Sequence, residues 1–416
     1  MRWIWLVLLC ACGDNIVPRL VALTYDVGGV TYTRPGQFHD TLRDEDCHPD
    51  HWADGATYCT PPYDDAPVYT DAGCTDAIAV GSGGYTATYF TLAGIKSLRR
   101  LRPVTPSMRN PAQYWMQSTN GCDGPFPAPA GISWGEIGDE LDESAFVRLL
   151  RSAPEGDGRV QTIVWHTSDG LRQPTGFHDR ELGVDCTVTT EFGRDHDHVV
   201  CAPPAQPLYY YADAACTQPV VVASPDDPLP ILELDCETFA RAGAERMGAL
   251  YASSGGLCQP TTAPDGFRHF EVGAPVEAPV LSRVRGGSGR IQSITLVAGN
   301  VHVPDRYLHD TMIDADCEPV RTTDGPRCLP TWQNIDTYYS DDQCTQTVEI
   351  VSENVGTCAA PVQYGRDPDG FHEVGAIVTD PLYVPSTGDI CMVQPPSGEP
   401  HEVGPPLPLD TFVPAL

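Results

Sequence analysis

Apolar and polar residues alternate with a period of two through Arg159–His166 (RVQTIVWH) and Arg290–Val297 (RIQSITLV), the pattern of strands with one face on a core. Tyr, Val, Thr and Ile concentrate in such runs. Asp-Gly dipeptides, which suit turns needing a positive φ, begin at residues 54, 123, 157, 169, 265, 324 and 369. The 40 Pro further discourage helices. One segment, ETFARAGAERMGALY at 237–251, favours helix on intrinsic propensity. Its counterpart FHEVGAIVTDPLYV at 371–384 reads as strand, and the correspondence assigns both to β. The chain is therefore predicted to be all-β.

The alternating runs belong to a longer repeat. FHDTLRDEDC at 38–47, FHDRELGVDC at 177–186 and LHDTMIDADC at 308–317 share His-Asp followed by Asp-Cys at one spacing. Each follows an alternating run that begins 18 or 19 residues earlier, at Arg19, Arg159 and Arg290. Each precedes a Cys-x-Pro element (59–61, 201–203, 328–330) and then YTDAGCT at 69–75, YADAACT at 211–217 or YSDDQCT at 339–345. Weaker blocks end in Glu136-Ile137-Gly138, Glu271-Val272-Gly273 and Glu402-Val403-Gly404. The unit is about 130 residues long, a period that signals repeat architecture. Three copies span 19–158, 159–285 and 286–416, with loop-forming Gly-rich sequence at the joins. A closing segment recurs at Ala145-Phe146-Val147 and Thr411-Phe412-Val413, so the C-terminus is placed to complete a sheet begun at the N-terminus. Two architectures fit: a propeller-like ring of about six small antiparallel sheets, or three tandem disulfide-stapled β modules.

Each copy carries a Cys quartet: Cys47, Cys59, Cys74 and Cys122; Cys186, Cys201, Cys216 and Cys258; Cys317, Cys328, Cys344 and Cys391. No CxxC pair occurs, so zinc ribbons and thioredoxin-type sites are unsupported. The first two of each quartet flank a short segment, which predicts cross-hairpin bridges Cys47–Cys59, Cys186–Cys201 and Cys317–Cys328. The other two are expected to pair within their own copy. Cys236 and Cys358 stand outside the scheme, and either join each other or divert Cys216 or Cys344.

Composition adds a compartment. Of 416 residues, 25 are basic and 56 acidic, a formal net charge of −31 that repels phosphate backbones and argues against nucleic acid as a partner. The N-terminus reads MRWIWLVLLCACGDN, one positive charge and then an apolar run too short to span a bilayer. Residues 1–11 read as a signal peptide. Leu9-Cys10-Ala11-Cys12 resembles the bacterial lipobox, which makes Cys12 the lipid attachment residue and 12–18 a lipidated tether to the membrane. Gly13 after Cys12 points to the outer membrane of the cell envelope. Setting aside Cys10 and Cys12 leaves 14 Cys, an even number suited to disulfides in an oxidising compartment.

Catalytic motifs are weak. Adjacent residues on a strand face opposite ways, so His39/Asp40, His178/Asp179 and His309/Asp310 cannot be His-carboxylate dyads, and their repetition suits a structural or turn role. The acidic turns Asp44/Glu45/Asp46 and Asp314/Asp316 offer oxygen ligands for calcium, but Gly183 and Val184 interrupt the set in the second copy, which reads better as a solvated turn. His196 and His198 would share a strand face in the second copy alone and suit an exposed hairpin tip. Gly131-Ile132-Ser133-Trp134-Gly135 fits GxSxG, yet lacks the strand-elbow-helix context. Trp52, Trp115, Trp134, Trp165, Trp332 and Tyr209-Tyr210-Tyr211 could stack on sugars or fill a core. No catalytic, cofactor-binding or metal-ligating residue is assigned, and no cofactor is expected.

Taken together, His-Asp, Asp-Cys, Cys-x-Pro and Tyr-x-Asp-x-x-Cys-Thr resemble the motifs of Cys-rich repeat lipoproteins of myxobacterial type, over most of 19–416. The resemblance implies location and architecture but no activity. The expected function is that of a non-enzymatic surface binding or structural module with a protein or glycan ligand. The alternative is a secreted glycan-binding protein or a glycan hydrolase with paired carboxylates.

Overall fold

A computed structural model describes residues 18–52, 54–64, 67–82, 89–91, 101–107, 109–118, 121–128, 132–189, 198–203, 205–206, 210–223, 231–234, 238–254, 257–262, 266–322, 325–353, 363–367, 370–385, 391–393 and 398–416. Among them every regular element is a strand, apart from single 3-10 turns at Glu143–Ala145 and Leu409–Thr411. The segment with helical propensity forms strands Thr238–Arg246 and Leu250–Ser254. Pairing with Arg268–Glu277 overrides its local preference, as sheet context commonly does. The described strands form four sheets of 14, 8, 8 and 7 strands.

Two compact units divide the chain. The first comprises the described residues up to Leu23, Gly36–Ser152 and Trp165–Gln173; the second comprises Thr24–Pro35, Ala153–Val164 and Pro174–Leu416.

In the first unit, the end of strand Val30–Asp40 pairs with Glu45–His51 (Phe38 opposite Cys47, His39 opposite Asp46), which pairs with Thr57–Thr60. Thr57–Thr60 then takes Val147–Arg151 as its other neighbour, although some 90 residues separate them. Leu20, Phe38, Cys47, Cys59 and Leu149 make the core beneath these strands. The intervening chain forms a second sheet. It is antiparallel except where Tyr63–Asp64 runs alongside Tyr89–Thr91.

The second unit contains this arrangement twice. Phe177 faces Cys186 and Leu308 faces Cys317 across equivalent hairpins. Inserted sheets cover 205–277 and 333–407. In the latter, Thr347–Glu353 pairs with both Gln333–Tyr339 and Glu399–Leu407, and Phe371–Ile377 pairs with Glu399–Leu407 and Tyr364–Arg366. Tyr364–Arg366 runs parallel to Gln333–Tyr339, so hydrogen bonding passes through five strands and returns to its start. The C-terminal segment lies between two other stretches. Cys328 N–H donates to the Val413 carbonyl (2.9 Å) and Ala415 N–H to Pro326 (2.8 Å), while Asp26 and Leu416 exchange both backbone bonds at 2.8 Å. The C-terminal residues thus meet both stretches through isolated bridges, Val27 with Ala415 and Arg327 with Pro414, rather than as a strand of either sheet.

The weak Glu-x-Gly block has a steric cause. A Cβ on Gly273 would sit 2.6 Å from the Arg241 carbonyl oxygen, and one on Gly404 2.6 Å from that of Glu373. Only glycine permits this backbone approach.

Six disulfides join the quartets as the sequence predicts. Cys47–Cys59, Cys186–Cys201 and Cys317–Cys328 have Cα separations of 5.2, 5.1 and 5.2 Å. Cys74–Cys122, Cys216–Cys258 and Cys344–Cys391 are each at 5.7 Å. Cys12, Cys236 and Cys358 lie outside the described residues.

Candidate functional site

The His-Asp motif is resolved by an arginine that the sequence reading passed over. At the start of each copy, Arg19, Arg159 and Arg290 bind the motif's aspartate through two nitrogens: Nη2 lies 2.8, 2.8 and 2.7 Å from Asp40, Asp179 and Asp310. The same Nη2 donates to the carbonyl of Ala145 (2.6 Å), Glu277 (2.7 Å) and Thr411 (2.5 Å), at the far end of the same copy. Each aspartate is buried. Its Oδ1 also accepts backbone N–H groups of the following turn, from Leu42 and Arg43, from Glu181 and Leu182, and from Met312. The carboxylate thus shapes the turn, and through its arginine the turn is tied to the closing segment of the copy. A bidentate, charge-assisted pair suits this, because the buried carboxylate needs an opposite charge while the guanidinium keeps one edge toward solvent.

The histidine faces the other way. His39, His178 and His309 meet the aspartate of Asp-Cys across the hairpin, with Nδ1 to Oδ1 distances of 2.9, 2.9 and 3.2 Å to Asp46, Asp185 and Asp316. On the other side of the ring, Nε2 lies 3.5 Å from the exposed Asp44 or Asp314. Asp44 (φ 56°) and Asp314 (φ 47°) occupy a left-handed position that Gly183 (φ 69°) fills in the second copy. Turn geometry therefore accounts for the interrupted acidic pattern. Among the described residues no group of three His, Cys, Asp or Glu side chains is placed to hold a metal ion.

A second recurring device is the Tyr-x-Asp-x-x-Cys-Thr turn. Oδ1 of Asp71, Asp213 and Asp341 accepts the N–H of Thr75, Thr217 and Thr345, and Oδ2 accepts the same threonines' hydroxyls. These bonds lower all three carboxyls. For Asp71 the main cause is the Asp76 backbone N–H followed by the Thr75 hydroxyl, and for Asp213 and Asp341 it is the threonine hydroxyl.

One ionisable cluster does not recur. Arg283, only 2% exposed, lies with Nη2 2.9 Å from Asp305 and Nη1 2.6 Å from Asp316, whose other oxygen meets His309. Burial pushes the Asp305 carboxyl up against the pull of Arg283. Burial alone would lower the Arg283 guanidinium, but the two carboxylates outweigh it and raise it. Nearby, Glu318 bridges Arg34 and Arg306 at 3.2 Å each. Sequence offered no signal for Arg283 and Asp305 beside His309 and Asp316, since the members come from three strands.

Ser133 and the described tryptophans resolve as strand and packing residues. Ser133 lies on strand Ile132–Ile137 beside buried Trp134, so no nucleophile elbow forms. Trp52 is buried against Tyr58 and Phe146, and Trp332 meets Phe371 edge-on. Trp115 and Trp165 are half-buried. His198 sits on strand His198–Ala202, while His196 and Tyr209 lie outside the described residues.

Fold and contacts together define a disulfide-stabilised, all-β protein whose recurring ionisable groups tie the chain to itself. Residues 5–412 match the model of a family of unknown function, DUF7481, and the chain belongs to that family. No curated protein and no solved structure matches it.

Proposed function

We propose that this protein is an exported, lipid-anchored β-repeat protein that serves as a non-enzymatic binding or structural module of the cell envelope, of the Cys-rich repeat lipoprotein type. The observation carrying this reading is that the aspartates of all three His-Asp motifs are buried against Arg19, Arg159 and Arg290, whose bonds span each copy, while the histidines pair with Asp46, Asp185 and Asp316 across their own hairpins, so the motif recurs as a structural device. Six disulfides suit an oxidising compartment. The anchor is diacylated Cys12, which holds the chain at the outer membrane. A ring of three copies is favoured over tandem modules by the bonds of Leu416 to Asp26 and the bridge of Ala415 to Val27. The hydrolase alternative gains nothing from the buried carboxylates Asp305 and Asp316, which both bond Arg283.

The test is metabolic labelling with a radioactive fatty acid in a bacterial host, followed by membrane fractionation. The intact protein should carry label and sediment with outer membranes. Cys12→Ala should lose both properties. Label persisting in that variant would overturn the assignment of Cys12.

A further inference from the structure

The six disulfides among the described residues fall into two environments. Cys47–Cys59, Cys186–Cys201 and Cys317–Cys328 are buried in the sheet cores, where a nucleophile has no approach. Cys74–Cys122, Cys216–Cys258 and Cys344–Cys391 are half-buried. In each of the latter the first cysteine sits in a left-handed turn conformation (φ 50°, 50° and 51°) between exposed neighbours. That conformation is disfavoured for a residue with a Cβ.

What these outer bonds hold is also particular. Each staples a hairpin onto the Tyr-x-Asp-x-x-Cys-Thr turn: Gln113–Ser118 with Gly121–Pro127, Leu250–Ser254 with Leu257–Thr261, and Tyr383–Pro385 with Cys391–Val393. Each hairpin joins the rest of its sheet through little backbone register. Trp115 and Met116 pair with Tyr69 and Val68, Ala252 and Tyr251 with Tyr210 and Tyr211, and Tyr383 with Tyr339. The hairpin cysteine's sulfur lies 3.8, 3.5 and 3.5 Å from the carbonyl oxygen of Asp71, Asp213 and Asp341. A thiol formed there has a hydrogen-bond acceptor already in place.

We propose that Cys74–Cys122, Cys216–Cys258 and Cys344–Cys391 are selective thiol–disulfide exchange sites, at which a dithiol reductant releases the three hairpins while the core disulfides stay closed. A thiolate of the reductant attacks the turn cysteine's sulfur. The S–S bond breaks, and the hairpin cysteine leaves as a thiolate that takes up a proton and turns its S–H to the aspartate carbonyl. The reductant's second thiolate then attacks the mixed disulfide, leaving the reductant oxidised and the turn cysteine free as a thiol after protonation. Two electrons and two protons pass to the protein per bond. Access separates the two classes, because exchange needs in-line approach to a sulfur.

The experiment treats the full chain with dithiothreitol under native conditions, quenches samples with iodoacetamide, and locates the alkylated cysteines by peptide mass spectrometry alongside hydrogen exchange. The hairpin-stapling cysteines should be alkylated at least about tenfold faster than the core six, as access dictates. Exchange should rise in the three hairpins while strands Glu45–His51, Val184–Thr189 and Ala315–Thr322 stay protected. Equal alkylation rates, core cysteines reacting first, or alkylation without a rise in hairpin exchange would each overturn the proposal. A Cys344→Ser/Cys391→Ser variant provides a second reading. It should fold, with faster exchange confined to the hairpin around Tyr383–Pro385. Failure to fold would overturn the claim that release is local.

Discussion

At the residue scale, the arginine staple explains why His-Asp is invariant within this chain. Asp310 is buried and receives Arg290 and the Met312 N–H, so Asp310→Ala leaves the Met312 N–H without its acceptor and Arg290 with the Thr411 carbonyl but no counter-charge. Breaking such a pair from one side costs about 3 kcal/mol. Urea unfolding of the second unit should shift accordingly, while His302→Ala, at an exposed position on the same strand, should shift it by less than about 0.5 kcal/mol. A second residue-scale test lies in a substitution the repeat has already made. Arg43 bonds Glu45 and the Tyr89 hydroxyl and lies 4.9 Å above the Phe146 ring. The equivalent pairs are Leu182/Val184 and Ile313/Ala315, packed in apolar clusters. In a double-mutant cycle, Arg43→Leu/Glu45→Val should be less destabilising than the sum of the single variants by at least about 1 kcal/mol. Strict additivity would show that the charge pair contributes nothing specific. Arg19, Arg159 and Arg290 went unread as site residues because each stands 20 or 21 positions before its aspartate and more than 100 before its carbonyl partner.

At the element scale, strands and disulfides were legible because both follow from local pattern. Alternation sets a strand's faces, and two cysteines 11 to 15 residues apart flanking a hairpin leave little choice of partner. The parallel step of each inserted sheet was not legible, since Tyr63 opposite Tyr89 or Gln333 opposite Gly365 depends on contacts that no short window contains. Nor did spacing reveal the buried charges around Arg283. The Asp71, Asp213 and Asp341 turns carry a pH dependence. Their carboxyls sit below the ordinary value of 3.8 when folded, so the turns' stabilisation is complete above that value and is lost as pH falls through the lower folded pKa. Asp213→Asn and Asp341→Asn together should flatten the loss of stability of the second unit below about pH 4, read by circular dichroism across an acid titration. An unchanged acid profile would place the acid sensitivity elsewhere.

At the scale of the whole molecule, ring and tandem modules make opposite demands on the last five residues. Phe412 and Ala415 are completely buried, and Phe412 meets Phe371 edge-on at 5.1 Å within the third copy. Tandem modules would confine the damage of removing 412–416 to that copy, around Leu329, Tyr364 and Phe371. A ring would also open a seam at the start of the first copy, because Asp26 loses both bonds to Leu416 and Val27 loses its bridge to Ala415. Losing Phe412 alone costs about 3–5 kcal/mol, so the deletion should be strongly destabilising in either case and stability by itself does not discriminate. The location of the effect does. Leu416→Pro removes one N–H donor and leaves Phe412 in place. Hydrogen exchange on this variant should show loss of protection at Asp26 and Val27 together with Ala415, while Leu329 and Tyr364 hold. If Asp26 exchanges as in the unaltered protein, the closing bonds carry no weight and the copies are joined only by the chain and by the strand pairs Leu150–His166 and Ser282–Val297.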